Sequence, residues 1–202
     1  MALYKIPDAV EYLRQSKKRG FTQSIDMILN LKNIDLRKTE NRISKEIVLP
    51  HGTGKDVKVG IISDTVQGGI KKADIESIDK KGISRLAKQY DFFICEAPLM
   101  MLVGKMLGKM LGPQGKMPSP IPPNVKNISA IIETKKKAVR VRLKDTPTMH
   151  LPVGKETMNN EQIEENIKSA LSEIEKFLPK GKNQIRSIYL KLTMSKPVRI
   201  EI

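Results

Sequence analysis

"LPHGTGK", residues 49–55, is echoed far along the chain by "LPVGK", residues 151–155. Each sets Pro and Gly ahead of a lysine, the punctuation of a chain changing direction. We read the pair as the two strands of one hinge, where the chain leaves a first domain and later returns to it. The first domain is then discontinuous, built from 1–55 and 151–202, with 56–150 inserted between.

The two parts differ in pattern. Within the insert, "VKVGIISD" and "DFFICEA" are short, continuous apolar runs, as expected of strands buried on both faces. "TVQGGIKKADI", "GISRLAKQY" and "ISAIIETKKKA" have helical spacing, and "VRVRL" alternates. Buried strands alternating with helices predict a small α/β unit of mostly parallel strands. The outer segments predict a helix opened by Pro7 and stopped near Gly20, then a strand in "FTQSIDMILNLKNIDL" and another in "ISKEIVLP". A long surface helix follows from Ile163, Ile167, Leu171, Ile174 and Leu178, and strands "IRSIYLKLT" and "PVRIEI" close the chain.

Thirty-seven Lys and Arg against 22 Asp and Glu give a formal charge of +15 on 202 residues. A field of that sign attracts polyanions, so nucleic acid or an anionic membrane heads the partner list. With no Trp and 4% aromatic residues, rows of stacking platforms for single strands are not expected. The single cysteine, Cys95, excludes an internal disulfide and reads as a small buried hydrophobe. His51 and His150 have no neighbouring ligand cluster, so neither a metal nor a cofactor is expected. The N-terminus shows no apolar signal core, and "APLMMLV" is too short to span a bilayer; the reading is a reduced, intracellular protein.

"GKMLGKMLGPQGKMPSP", residues 104–120, invites a phosphate-binding reading, but its glycines are four apart and Met follows the lysine. A P-loop needs G-x-x-x-x-G-K-[ST] so that backbone N–H groups wrap phosphates and a hydroxyl holds magnesium. Leu99, Leu102, Val103, Met106, Leu107, Met110 and Leu111 also share a face opposite Lys105 and Lys109, as in a cationic interfacial helix. Gly104 and Gly108 each cost about 1 kcal/mol of helix propensity, so a helix over 97–111 packed on the insert's sheet and ended by Gly112 is the better reading. "GPQG" is then a turn with Pro113 at its second position, and Lys105, Lys109 and Lys116 form a basic edge open to weak RNA or tRNA contact. No Ser/His/Asp or Cys/His set and no G-x-S-x-G elbow nominates a catalytic residue. "KKRGFTQSID" and "RSIYLKLTMSKPVRIEI" place cations, hydroxyls, Phe21 and Met194 near strand ends, a composition suited to reading folded RNA by shape and 2′-hydroxyls.

"LPHGTGK", "KMLGPQGKMPSP", "HLPVGK" and "RSIYLKLTMSKP" occur in the order and approximate spacing of one family. The chain resembles large-subunit ribosomal protein L1 over nearly its whole length, and its "MPSPIPPN" is similar to the archaeal form. The resemblance implies an α/β fold of two domains: a split α/β domain with an antiparallel sheet, and an inserted Rossmann-like three-layer α/β domain. It implies a cytoplasmic, non-enzymatic ribosomal protein that binds large-subunit rRNA at the mobile stalk beside the tRNA exit site. It also implies repression of translation through its own mRNA, a possible contact with exit-site tRNA, and a monomer when free. The other reading left open is a nucleotide-binding enzyme using the middle domain, with a peripheral membrane binder behind it.

By matching position, the resemblance places RNA contacts on Arg19, Phe21, Thr22, Ser24 and Asp26, on Ser187, Thr193, Met194 and Ser195, and on Lys155 and Arg37. Phe21 is expected against a sugar or base edge, Thr22, Ser24 and Ser187 on 2′-hydroxyls, and the cations on phosphates. Two departures stand out: Ser195 where the family has glycine, raising the question of close approach or positive φ, and Gly20 where a lysine or arginine is common.

Overall fold

Pro7 occupies the first turn of a helix whose apolar positions recur three and four residues apart, and whose last turn holds Arg14. The computed structural model, which describes residues 3–17, 19–38, 41–64, 69–122 and 128–201, begins with β1 (Leu3–Tyr4), this helix α1 (Ile6–Arg14), β2 (Ser24–Leu31) and β3 (Ile43–Val48). Next come β4 (Val59–Ile62), α2 (Lys72–Ser77), α3 (Lys80–Gln89), β5 (Phe92–Glu96), α4 (Met100–Met106), α5 (Gly108–Gln114), β6 (Ser119–Ile121) and α6 (Ile128–Lys136). The chain ends with β7 (Ala138–Leu143), β8 (Thr148–Lys155), α7 (Asn160–Phe177), β9 (Ile185–Leu192) and β10 (Val198–Ile200). The result is a mixed α/β protein. It divides into two compact units, Met1–Lys55 with Lys137–Ile202, and Asp56–Lys136.

In the first unit five strands lie in the order β1-β10-β9-β2-β8, antiparallel except for β1 against β10. Strand β2 alternates strictly, with Ile25, Met27, Leu29 and Leu31 turned inward. Helices α1 and α7 share that core: Ala9, Val10 and Leu13 meet Ile163, Ile167, Ala170 and Ile174. Burying each Val, Leu or Ile there is worth about 1.5–3 kcal/mol. A second ribbon, β3 against β7, adds Ile43, Ile47, Val139, Val141 and Leu143 to the same core.

That ribbon corrects the expected boundary. The return was expected at 151 with "VRVRL" inside the insert, but this strand pairs along its whole length with β3, Ile43 opposite Leu143 and Val48 opposite Ala138. The chain therefore re-enters the first unit at Lys137. "LPVGK" is not a hinge strand either. It is the end of β8, the sheet's edge, where Pro152 lacks an N–H at little cost. The two echoes nevertheless meet through α7: the buried Asn166 amide donates to the carbonyls of Gly52 and Val153, each at 2.8 Å, and Asn166 Oδ1 accepts the His51 N–H at 3.1 Å. Gly52 and Gly54 have φ of 64° and 67°, a left-handed backbone that explains the glycines of "HGTGK".

The second unit holds three parallel strands in the order β4-β5-β6; β4 and β5 are the two continuous apolar runs, while β6 was not expected as a strand. Phe93 and Cys95 of β5 pack with Ile75, Ile83, Ala87, Val103 and Leu111 from the helices and with Leu107 between two of them. Only part of the expected helix over "TVQGGIKKADI" can be compared, since 65–68 lie outside the described residues; α2 begins at Lys72. The expected helix over 97–111 is instead a 3-10 turn at Ala97–Leu99, then α4, a break at Leu107, and α5. It does not end at Gly112: α5 carries Pro113 in its last turn and stops at Gly115, whose φ of 65° forms the left-handed cap.

Candidate nucleic-acid interface

Because β2 alternates, the residues between its core positions form the opposite face of the sheet. No helix covers that face among the described elements, since α1 and α7 both pack on the core side. Strand register assembles it from three segments far apart in sequence. Ser24 lies opposite Lys155, and Asp26 lies between Pro152 and Lys191. Ile28 sits between His150 and Tyr189, Asn30 between Thr148 and Ser187, and Arg199 lies beside Tyr189.

One end of this face is built around Phe21 and Met194, which are 52% and 58% exposed. Large apolar side chains left in solvent are the informative exception in a folded chain. Both flank a fixed scaffold. Thr193 donates its N–H to the Ser24 carbonyl at 3.1 Å, and Ser24 returns its own N–H to Thr193 Oγ1 at 3.2 Å. The buried Gln23 side chain accepts the Met194 N–H at 3.1 Å, while the Gln23 backbone exchanges hydrogen bonds with Glu156 at 2.9 and 3.3 Å. Arg19, Phe21 and Thr22 line a cavity of about 420 Å³ with Glu156.

Ser195 answers the question raised by the missing glycine. Among the described non-glycine residues only Asn33 has a positive φ, so position 195 needs no left-handed backbone in this chain. The Ser195 hydroxyl accepts the Leu192 N–H at 2.9 Å and closes the turn. It stiffens Thr193–Met194 instead of being offered outward.

The opposite end of the face holds Ser187. Thr148 Oγ1 donates to Asn30 Oδ1 at 3.2 Å, and Asn30 Nδ2 donates to Ser187 Oγ at 3.1 Å, a polar row across β8, β2 and β9. Ser187 is buried beneath it rather than exposed. Between the two ends, burial holds the Asp26 carboxyl above its usual range, against the opposing pull of Lys191 and His150.

The expected residues thus separate. Arg19, Phe21, Thr22, Ser24, Lys155, Thr193, Met194 and Ser195 gather at one end, Asp26 at the centre and Ser187 at the other end. Arg37 does not join the first group: it follows the far end of β2, and eight strand residues span about 25 Å. Lys105 and Lys109 are exposed in the second unit. Lys116 is not part of a basic edge with them. Its ammonium donates to the carbonyls of Ala87 and Tyr90 at 2.6 and 2.9 Å, closing the C-terminal end of α3. Missing from the expected set were Asn30, Thr148, His150, Tyr189, Lys191 and Arg199. The period-2 alternation of "SIDMILNL", "TMHLPVGK" and "IRSIYLKL" marks most of them once the strands are known to be neighbours.

Among the described residues there is no group of three His, Cys, Asp or Glu able to hold a metal ion, and no helix is long and apolar enough to cross a membrane. What remains is a polar, partly basic sheet face edged by fixed apolar side chains. Residues 13–196 match the Ribosomal protein L1p/L10e family, and the chain belongs to it. The large ribosomal subunit protein uL1 of Pyrococcus horikoshii is 48% identical over 98% of this chain and 95% of its own. The uL1 proteins of Thermococcus kodakarensis and Methanothermobacter thermautotrophicus are each 42% identical, over 98% and 97% of this chain and 97% and 98% of their own. These relatives are named as ribosomal proteins, and the family is not one of enzymes, which removes the nucleotide-dependent enzyme reading.

Proposed function

We propose that this chain is a structural protein of the large ribosomal subunit, cytoplasmic with the ribosome, and that its first unit binds rRNA at the mobile stalk through the open face of the five-stranded sheet. The observation that carries the reading is the pair Phe21 and Met194, exposed yet held in place by Gln23, Ser24 and Thr193. Their apolar surfaces suit a base edge or ribose. Thr22 and Ser24 suit 2′-hydroxyls, and Arg19, Lys155 and Lys191 suit phosphates. Repression of translation follows if its own mRNA folds into a similar structure. Lys105 and Lys109 are the candidate weak contacts with RNA or exit-site tRNA, and Lys116 is withdrawn from that set. The parallel order of β4, β5 and β6 supports a Rossmann-like reading of the second unit.

Titration of the protein against a folded rRNA stalk fragment and an unrelated hairpin, at several salt concentrations, tests this. The stalk fragment is expected to bind more tightly at every salt. Phe21→Ala and Met194→Ala are expected to weaken that binding about ten-fold each while leaving hairpin binding unchanged. Equal affinity of the wild-type chain for both RNAs overturns the proposal.

A further inference from the structure

Where the end of α1 meets the turn after β9 there is a second cavity of about 320 Å³, lined by Tyr12, Lys17, Arg19, Met194 and Lys196 among others. Three of these five are cations, and among the described residues no acidic one lines it. Two of them, Arg19 and Met194, also belong to the candidate interface, so the cavity continues that surface around the edge of the sheet. Tyr12 is 51% exposed although it lies on a helix whose other face is fully buried. Its ring is backed by Tyr4, the centroids 5.4 Å apart and the planes tilted by 35°. A ring supported on one side and open on the other is a platform for stacking, ordered before any partner arrives.

We infer that this cavity binds one nucleotide of the same RNA chain, its base laid on Tyr12 and its phosphate held by Lys17 and Lys196. The inference rests on the RNA-binding reading of the sheet face and extends it by a subsite. The volume lies at the small end of ligand-sized clefts, room for a single splayed nucleotide rather than a duplex. Unstacked bases on aromatic rings are the usual means of sequence-tolerant RNA contact, and lysines supply the salt-dependent share. A membrane headgroup would use the same cations, but it would leave no nucleotide adduct on Tyr12.

Three variants of the full chain test this against the stalk fragment. Tyr12→Phe keeps the platform and is expected to bind within about two-fold of wild type, whereas Tyr12→Leu, which still packs on Tyr4, weakens binding about ten-fold. Lys196→Ala lowers the slope of log affinity against log salt by about one unit. Ultraviolet irradiation of the wild-type complex is expected to leave a nucleotide adduct on the peptide carrying Tyr12. Wild-type binding by Tyr12→Leu, with no adduct on that peptide, overturns the subsite. If Phe21→Ala weakens binding in the same assay while Tyr12→Leu does not, the subsite alone fails. If the wild-type chain does not prefer the stalk fragment, the interface and the subsite fail together.

Discussion

Replacing Asn166 by alanine removes the side chain on which "HGTGK" and "LPVGK" converge. The residue is fully buried, and its amide nitrogen serves the Gly52 and Val153 carbonyls at 2.8 Å each. Gly52 and Val153 are themselves buried, so water does not readily replace the lost donors. A buried polar group left without a partner costs about 1–3 kcal/mol, and the His51 N–H on the exposed side costs less because it can hydrate. With two buried carbonyls affected, the loss is about 2–6 kcal/mol for the first unit, a large share of the roughly 5–15 kcal/mol that holds an ordinary domain folded. Hydrogen–deuterium exchange of peptides from β2 and β8 reads it directly: at about 3 kcal/mol, exchange through unfolding quickens about 100-fold. Asn166→Asp sharpens the test. It keeps the acceptor for His51 but turns a carboxylate oxygen toward two carbonyls, so its ionised form is penalised and its pKa rises on folding. A group with a raised folded pKa binds more protons folded than unfolded, so stability falls as pH rises through that pKa. Asn166→Asp should recover stability on acidification relative to Asn166→Ala. Exchange in β2 and β8 quickened less than five-fold by Asn166→Ala would refute the reasoning.

Lys116→Ala is expected to cost about 1–2 kcal/mol by freeing two carbonyls at the end of α3, measured as faster exchange in α3, with RNA affinity unchanged. Asp26→Asn removes a carboxyl whose pKa is raised in the fold; by the same sign rule it should raise the melting temperature at pH 7, with the gain shrinking as pH falls through the folded pKa. A gain that is constant across pH 4 to 8 would contradict the burial argument. Cys95 is fully buried, and its thiol is pushed up to about 11 by burial and by the neighbouring Glu96 charge. At pH 8 about one molecule in a thousand carries the thiolate, so iodoacetamide should label the unfolded chain and spare the native one.

Much of the architecture was legible in short windows. Apolar spacing in "NNEQIEENIKSALSEIEKFL" marks α7, alternation marks β2 imperfectly and β9 strictly, and the short apolar runs at 59–62 and 92–95 mark parallel strands. These signals are local, because helix and strand periods of 3.6 and 2 are properties of consecutive residues. Phe21 and Met194 were also legible, as apolar residues stranded among cations and hydroxyls.

What sequence alone determined was most of the helices and strands, the family, and a formal charge of +15. Partners were decided by the tertiary structure. "VRVRL" reads equally well as a strand of either unit, and only its register with β3 moves the return to Lys137. Lys116 looks like a surface charge until Ala87 and Tyr90 present their carbonyls to it, and Arg37 looks like a neighbour of Phe21 until the length of β2 separates them. The open face exists because β9 and β8, more than a hundred residues downstream, flank β2. Hydrogen-bond register between distant strands is set by how the whole core closes, and no local period encodes it.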